Sequence, residues 1–132
     1  AGLKVSDSLI FTGGLNREQV VGAHRSSTMF VFPSITDTQG LVINVSPAQS
    51  KPIVFVDDKI SELTRNHHNG LHARNNPRDF AHKCLRLIEH PELREKFGAE
   101  SKELAQNYSG ENQPLHLVEL YNDVVEQYRS RL

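Results

Sequence analysis

The sequence lacks the features that would place a protein outside the cytoplasm or in a membrane. It contains one cysteine, Cys84, which cannot form an internal disulfide, so the chain suits a reducing compartment. No apolar run approaches the roughly 20 residues that span a bilayer. The opening segment AGLKVSDSLIF has neither the apolar core nor the cleavage pattern of a signal peptide. These absences predict a cytoplasmic globular protein.

The sequence is also poor in net charge and in repetitive segments. Its formal net charge is −1 over 132 residues, which gives no general attraction for nucleic acid. It contains no internal repeat, low-complexity tract or linker. Residues 1–132 are therefore expected to form a single domain, of a length that buries roughly two-thirds of the unfolded surface.

Short apolar runs bounded by glycine or proline predict buried strands. They lie at residues 9–12, 29–32 and 52–56, with a weaker run around Leu71. Helical patterns separate and follow them: Asn16 is a predicted N-cap, and Pro47 should end a helix early. The pattern predicts an α/β fold with a parallel sheet of about four strands flanked by helices.

The C-terminal third is predicted to be helical. The amphipathic stripe near its start comprises Phe80, Cys84, Leu87 and Ile88. The most regular stripe in the chain is the last one, which includes Leu117, Val124, Tyr121 and Tyr128. Both stripes are expected to face the core, which would leave Cys84 buried and inert.

Eight segments, in order, carry a family resemblance across almost the entire chain. They are IFTGGL (10–15), NREQV (16–20), FVFPS (30–34), TDTQGLV (36–42), KPIVFVD (51–57), NGL (69–71), HPELREKFG (90–98) and YSGEN (108–112). In this order and spacing the chain resembles the C-terminal domain of retaining, group-1 (family 4) type glycosyltransferases of the GT-B architecture.

The resemblance implies a Rossmann-like fold and a nucleotide-sugar donor, a UDP-, GDP- or ADP-sugar, with no bound metal or other cofactor. In such enzymes the reaction takes place in a cleft between this domain and an N-terminal acceptor domain. Nothing before Leu9 matches the family's first two strand–helix units, so we expect a partial domain that lacks its acceptor half. The adjacent His67 and His68 are read as an exposed turn rather than as metal ligands.

The resemblance also assigns the ancestral donor-binding positions. They are Asp37, Gln39, Gly40, Leu41, Val45 and Glu62. Asp37 matches the family's first acid, although an aspartate there also suits a turn. Gly40 either lets the backbone approach a diphosphate or simply starts a helix. Glu62 either binds ribose or caps a helix. No residue is assigned a catalytic role.

Val45 stands where the family has a second acid that grips the ribose hydroxyls. Valine accepts no hydrogen bond, and a lost charge-assisted bond of roughly 1.5–3 kcal/mol weakens binding by roughly 10- to 100-fold. Ser50 likewise replaces a glycine that usually ends the helix in this family.

These residues lead to two functional hypotheses. The first is a glycosyltransferase domain that recognises a nucleotide sugar but is inactive alone; the alternative is a non-catalytic binding or assembly module. Loss of the neighbouring strands exposes the edge of strand 29–32, which predicts either pairing with residues 9–12 or a homodimer. TDTQGLV resembles relatives that glycosylate membrane lipids, which leaves a place at the inner membrane surface open for a full enzyme.

Overall fold

The structure, a computed structural model, describes residues 5–36, 43, 45–57, 59 and 62–130. After a 3₁₀ turn at Ser6–Ser8, the elements are α1 (Arg17–Ser26), β1 (Phe30–Phe32), α2 (Val45–Ala48), β2 (Ile53–Phe55), β3 (Gly70–His72), α3 (Pro77–Glu89), α4 (Pro91–Asn107) and α5 (Gln113–Arg129). The predicted α/β class is confirmed. Within the described ranges, no helix is both long and apolar enough to cross a membrane.

The three strands form one parallel sheet in the order β1-β2-β3. The predicted fourth strand at residues 9–12 is wrong, because this run joins no sheet. Ile10 is 88 % exposed and Phe11 is 92 % exposed. An apolar run becomes a strand only where a neighbouring strand accepts its backbone hydrogen bonds, and β1 pairs with β2 alone. The predicted pairing of residues 9–12 with β1 is therefore also wrong.

β1 is an edge strand, as the sequence predicted. One edge is hydrogen-bonded to β2, and no described strand covers the other. Val31, in the middle of β1, is exposed. A homodimer through this edge stays a prediction.

The core lies on both faces of β2, all of whose residues are fully buried. On one face Val54 packs with Leu71 and with residues of α3 and α4, chiefly Leu87 and Phe97. On the other face Ile53 and Phe55 pack with Ile43. Apolar contacts on both faces explain why the sequence of β2 is a continuous apolar run rather than an alternating one.

Local signals fix the starts of the helices. The Asn16 side chain accepts a hydrogen bond from the Gln19 N–H at 2.9 Å, and the Gln19 side chain accepts one from the Asn16 N–H at 3.0 Å. This reciprocal capping box confirms the predicted N-cap. Pro77 and Pro91 each occupy the first helical position, where the missing N–H has no intrahelical partner to lose.

The predicted orientation of the last helix is wrong. Every side chain of α5 is exposed, and Tyr121 and Tyr128 are 62 % and 65 % exposed. In α3 the predicted stripe is only partly covered: Leu87 is buried, Cys84 is half-buried and Ile88 is exposed. The periodicity identified these helices correctly but did not specify what covers their apolar faces.

α2 ends early, as Pro47 predicted, after four residues. Two residues later, Ser50 has φ of 58°, in the left-handed region that glycine adopts at little cost. Its N–H donates to the Pro47 carbonyl at 2.9 Å. The family's usual glycine at this position therefore has a backbone reason, and Ser50 retains the turn under strain.

Replacing Ser50 with glycine should stabilise the fold. The left-handed conformation costs a residue with a Cβ roughly 1–2 kcal/mol, and part of this gain is offset by the greater freedom of glycine in the unfolded chain. We expect Ser50→Gly to raise the free energy of unfolding by about 0.5–1 kcal/mol in urea titrations. Ser50→Ala, which retains the Cβ, should give no gain; equal stabilisation by both variants would contradict the backbone explanation.

Candidate functional site

Parallel strands end at one edge of their sheet, and this carboxyl edge carries an open groove. The groove has a volume of about 320 Å³. It is lined by residues that follow each strand: Pro33 after β1, Val56 after β2, and Asn75, Asn76, Pro77, Phe80 and Ala81 after β3. We call it the edge groove. Ligands of open α/β sheets bind outside the carboxyl ends of the strands, so its position is that of a binding site.

The wall of the edge groove on the α3 side is held by side-chain caps. The Asn76 side chain accepts a hydrogen bond from the Arg78 N–H at 2.8 Å, which fixes the first turn of α3. Asp79 accepts one from the Arg74 N–H at 2.7 Å. This backbone hydrogen bond lowers the pKa of Asp79, so its carboxylate stays ionised beside the groove.

Side-chain contacts also hold the end of β2 in place. Nε2 of His72 lies 2.6 Å from the Val56 carbonyl oxygen, and the His72 ring packs against Phe55. Immediately afterwards, the Asp57 carboxylate accepts a hydrogen bond from the Lys59 N–H at 2.9 Å. The chain after β2 therefore leaves the sheet from a fixed point beside the edge groove.

Four of the six predicted donor contacts lie outside the described residues. These are Asp37, Gln39, Gly40 and Leu41. The described residues that precede them, 33–36, leave the sheet at the same edge as the chain after β2. Glu62 is described: it lies in a turn and is exposed, and no helix lies among the described residues between it and β3, so the alternative that Glu62 caps a helix is wrong.

Val45 is the first residue of α2 and borders a second groove, between α1 and α2. This helix groove has a volume of about 490 Å³ and is lined by Leu15, Arg17, Val20, Val21, Val45, Ala48 and Gln49. Arg17 and Gln49 are its polar members, and none of the seven is an acid. At the position of the family's second acid, this chain therefore has a side chain in the apolar wall of the helix groove.

His67, His68 and Cys84, which were predicted to have structural rather than binding roles, lie largely where the sequence predicted. His67 and His68 lie in a turn, where His67 has φ of 59° and His68 contacts Glu100 with Nε2 to Oε2 at 3.2 Å. Cys84 is half-buried rather than buried. Desolvation raises the pKa of its thiol, which disfavours the reactive thiolate.

Sequence reasoning missed the groove-lining residues after β3. Asn76 followed by Pro77 is an N-cap residue followed by a first-turn proline, which is the usual signature of a helix start. A helix that starts directly after a parallel strand must begin at the carboxyl edge. That signal would have placed Asn75, Asn76 and Phe80 beside the loops of the predicted donor site.

Three relatives support the assignment of the chain. An uncharacterised glycosyltransferase of Methanocaldococcus jannaschii is 30 % identical over 109 residues, which cover 81 % of this chain and 31 % of the relative. D-inositol 3-phosphate glycosyltransferases of Streptomyces bingchenggensis and Thermobifida fusca are 24 % and 30 % identical, over 98 % and 86 % of this chain. The alignments cover 29 % and 26 % of those two proteins, so the chain spans less than a third of each relative.

The fold matches a solved glycosyltransferase. Sucrose-phosphate synthase from Thermosynechococcus elongatus superposes with a TM-score of 0.77 over 93 % of this chain and 32 % of its own, at 20 % identity. At that identity the likeness shows the fold, and it agrees with the predicted GT-B type of domain. The sequence model of glycosyl transferases group 1 matches residues 1–104. This match covers most of the chain, which therefore belongs to the group 1 glycosyl transferases.

Proposed function

We propose that residues 1–132 are the donor-binding, C-terminal part of a retaining glycosyltransferase, which takes a UDP-, GDP- or ADP-sugar at the carboxyl edge of the sheet. One observation carries the proposal. The loops after β1 and β2, to which the family resemblance assigns the donor contacts, leave the sheet at the edge that carries the edge groove. Its volume of about 320 Å³ falls within the roughly 300–1,000 Å³ typical of ligand pockets.

The lining of the edge groove suits part of such a donor. Phe80 and Val56 supply apolar surface for a ring, and the Asn75 side-chain amide supplies a donor and an acceptor. Asn76 supplies only its Nδ2 donor, because its Oδ1 already accepts from the Arg78 and Asp79 N–H groups. Asp79 keeps a negative charge nearby, which disfavours the diphosphate at this wall. The diphosphate therefore belongs closer to the loops after β1 and β2, where Lys59 is exposed.

The chain alone is not expected to transfer sugar. Glycosyl transfer between two bound substrates depends on holding both in register, and the donor wall by itself positions only one of them. The acceptor, and the surface that binds it, are supplied by a second domain in this proposal. Activity would therefore require that domain as well, in a cytoplasmic enzyme that works in solution or at the inner membrane surface.

An amide NMR titration of the 132-residue chain with UDP-, GDP- and ADP-sugars at millimolar concentration tests the proposal. Shifts should cluster at residues 37–41, 57–62 and 75–80, and the nucleotide giving the largest shifts identifies the base. Shifts confined to the α5 end of the molecule, or no shifts with any donor at millimolar concentration, would contradict donor binding. CMP-sialic acid, which is a nucleoside monophosphate sugar without a diphosphate, serves as the matched ligand control.

Restoring the family's second acid should strengthen donor binding. A glutamate at position 45 places a carboxylate at the start of α2, where it gains a charge-assisted hydrogen bond with the ribose worth roughly 1.5–3 kcal/mol. We expect Val45→Glu to lower the dissociation constant by roughly 10- to 100-fold in the same titration. Val45→Gln, of equal size and uncharged, should give a much smaller gain.

The outcome of that comparison separates the two functional hypotheses. Tighter binding by Val45→Glu alone would mean that the donor site persists and has lost one contact. No binding by either variant favours the alternative, a non-catalytic binding or assembly module. The apolar helix groove around Val45 supports this second candidate, since a site that still gripped ribose would not have lined that position with aliphatic side chains.

A further inference from the structure

The turn before β3 contains a chemically labile step. Of the asparagines in the chain, Asn69 alone is followed by glycine. Because Gly70 has no side chain, its backbone nitrogen is unhindered and its backbone reaches conformations that other residues avoid. These are the conditions under which an asparagine side chain reacts most readily with the peptide nitrogen that follows it. In this fold, however, both residues are buried, and Asn69 has no exposed surface.

The reaction at such a step is deamidation, which needs no reagent except water. The Gly70 nitrogen attacks Cγ of Asn69, so that a bond forms between them and the bond from Cγ to Nδ2 breaks. The Gly70 N–H proton leaves with Nδ2 as ammonia, and a five-membered succinimide ring remains. Water then adds to either ring carbonyl and opens the ring. The product has an aspartate or an isoaspartate at position 69, and neither step involves an oxidant or a reductant.

Hydrogen bonds oppose the first step in the folded state. Nδ2 of Asn69 donates to the Leu63 carbonyl at 2.7 Å, and its Oδ1 accepts from the Arg65 N–H at 2.8 Å. The peptide group that joins Asn69 to Gly70 is held as well, because its carbonyl accepts from the Ile53 N–H at 3.2 Å. Ring closure brings Cγ and the Gly70 nitrogen to bonding distance, which displaces these held groups and breaks buried hydrogen bonds. The step therefore reacts in molecules where this turn has opened.

The position of the turn makes its opening infrequent. Asn69 is bonded to the fully buried central strand β2, and β3, which begins at Gly70, pairs with that strand. Core strands of this kind separate only in sub-global or global unfolding. Refolding of a small domain is far faster than deamidation, so the rate in the folded protein equals the intrinsic rate multiplied by the open fraction. We expect the fold to protect Asn69 by a factor of roughly 10² or more.

Neither product fits the native turn. An aspartate places an oxygen where Nδ2 donates to the Leu63 carbonyl, so that two acceptors face each other. An isoaspartate adds one atom to the main chain between residues 69 and 70, which shifts β3 relative to the Ile53 N–H that pairs with Asn69. Gly70 lies so close to the Ile53 carbonyl that even a Cβ would overlap it, which leaves no room for the extra atom. Deamidation of an open molecule therefore disfavours its return to the native pairing.

We propose that Asn69-Gly70 is a spontaneous modification site that the native turn protects, and that deamidation there converts a reversible opening of the turn before β3 into a permanent loss of native stability. The modification is permanent because ammonia leaves the molecule. It requires no second protein and no cofactor, and it does not depend on the proposed donor site. The chemical lifetime of the folded chain is then set by how often β3 separates from β2.

A comparison of deamidation rates tests the protection. The folded 132-residue chain and a synthetic peptide of residues 62–78 are incubated in the same mildly alkaline buffer, well below the melting temperature of the chain. Mass spectrometry of proteolytic fragments follows the conversion of Asn69, and chromatography separates the aspartate and isoaspartate forms. We expect conversion in the folded chain to be slower by roughly 10²-fold or more, and to accelerate with urea in proportion to the open fraction. Asn75, which is exposed, is the internal control, and its two rates should differ far less. Equal rates for Asn69 in the chain and the peptide would overturn the proposal.

Refolding of the deamidated chain tests the consequence. Chains are deamidated in urea, separated from unmodified chains by ion exchange through the added negative charge, identified by mass spectrometry as modified at position 69, and returned to native buffer. In urea titrations followed by circular dichroism, the unmodified fraction should regain the native midpoint and both deamidated fractions should not, the isoaspartate form least of all. The aspartate form should match the variant Asn69→Asp made directly. Deamidated chains that regain the wild-type midpoint would overturn the proposal, even if the native turn slows the reaction.

Discussion

Replacing Gly70 with alanine should destabilise the fold by about 3 kcal/mol or more and lower the melting temperature by about 10 °C or more. Gly70 is buried at the start of β3, directly opposite Ile53 of β2. A Cβ at position 70 would overlap the Ile53 carbonyl oxygen and lie 3.0 Å from its carbonyl carbon. Both atoms belong to the backbone of the fully buried central strand, so no side-chain movement relieves the clash.

The only relief is separation of β3 from β2, which sacrifices contacts on both sides of the sheet. Against a total stability of about 5–15 kcal/mol, a loss of about 3 kcal/mol removes roughly a fifth to more than half of the free energy of unfolding. The matched control is Gly22→Ala in α1, where nothing lies within 4 Å of the added methyl group. There alanine should stabilise by about 0.5–1 kcal/mol through its higher helix propensity.

Thermal unfolding followed by circular dichroism measures both effects. Melting temperatures that shift down for Gly70→Ala and up for Gly22→Ala would show that the effect at position 70 comes from close strand packing and not from the loss of a glycine in general. Gly70→Ala melting within a degree or two of the wild type would contradict the backbone clash.

Gly70 also shows what the sequence revealed and what it concealed. The run around Leu71 correctly predicted a strand, but Gly70 at its start does not supply the left-handed residue of the preceding turn. Among the described residues the left-handed positions are Gly13, Ser50 and His67. Gly70 is required because β2 passes close to it, and a long-range approach of this kind leaves no trace in the local pattern.

The difference between local signals and long-range contacts also explains which other elements of the fold the sequence predicted correctly. Asn16 correctly predicted a helix start because a cap acts on its own first turn. Residues 9–12 were predicted as a strand, but a strand depends on neighbours that the run itself does not encode. The apolar stripe of the last helix, α5, correctly predicted that the segment is helical. The prediction that this stripe is buried was wrong, because periodicity specifies an apolar face without specifying the surface that covers it.

The candidate site was predicted from the order of motifs rather than from local chemistry. Only the resemblance singled out Val45, since valine at the start of a short helix carries no signal by itself. The structure adds its surroundings, an apolar groove between α1 and α2. The residues after β3 were missed because they belong to no donor motif, although strand direction alone places them beside the loops that do.

Asn69 is the second position where a small change should have a large effect. Its side chain is fully buried, and its Nδ2 donates to the Leu63 carbonyl at 2.7 Å while its Oδ1 accepts from the Arg65 N–H at 2.8 Å. Its own carbonyl accepts from the Ile53 N–H at 3.2 Å. One side chain thus shapes the turn before β3 and fixes where β3 meets β2.

Asn69→Asp changes a single atom of this arrangement, replacing the donor that faces Leu63 with an oxygen. Two acceptors then face each other, and the carboxylate is buried without a cation. We expect a loss of about 3 kcal/mol or more in the free energy of unfolding at neutral pH, because a buried acceptor left without a donor retains its full desolvation cost. The control is Asn66→Asp: its exposed Oδ1 accepts from the His72 N–H at 2.9 Å, and a carboxylate oxygen keeps that bond.

The pH dependence distinguishes this mechanism from simple mispacking. Burial and the facing carbonyl raise the folded-state pKa of the new carboxyl above its unfolded value of about 3.9. The folded state then holds the proton more tightly, so the penalty grows as the pH rises from about 4 towards 7 and is smallest in acid, where a protonated carboxyl again donates to Leu63. Urea titrations of Asn69→Asp against wild type at both pH values should show this trend. An equal loss of free energy of unfolding at both pH values would mean that the buried charge is not the cause of the destabilisation.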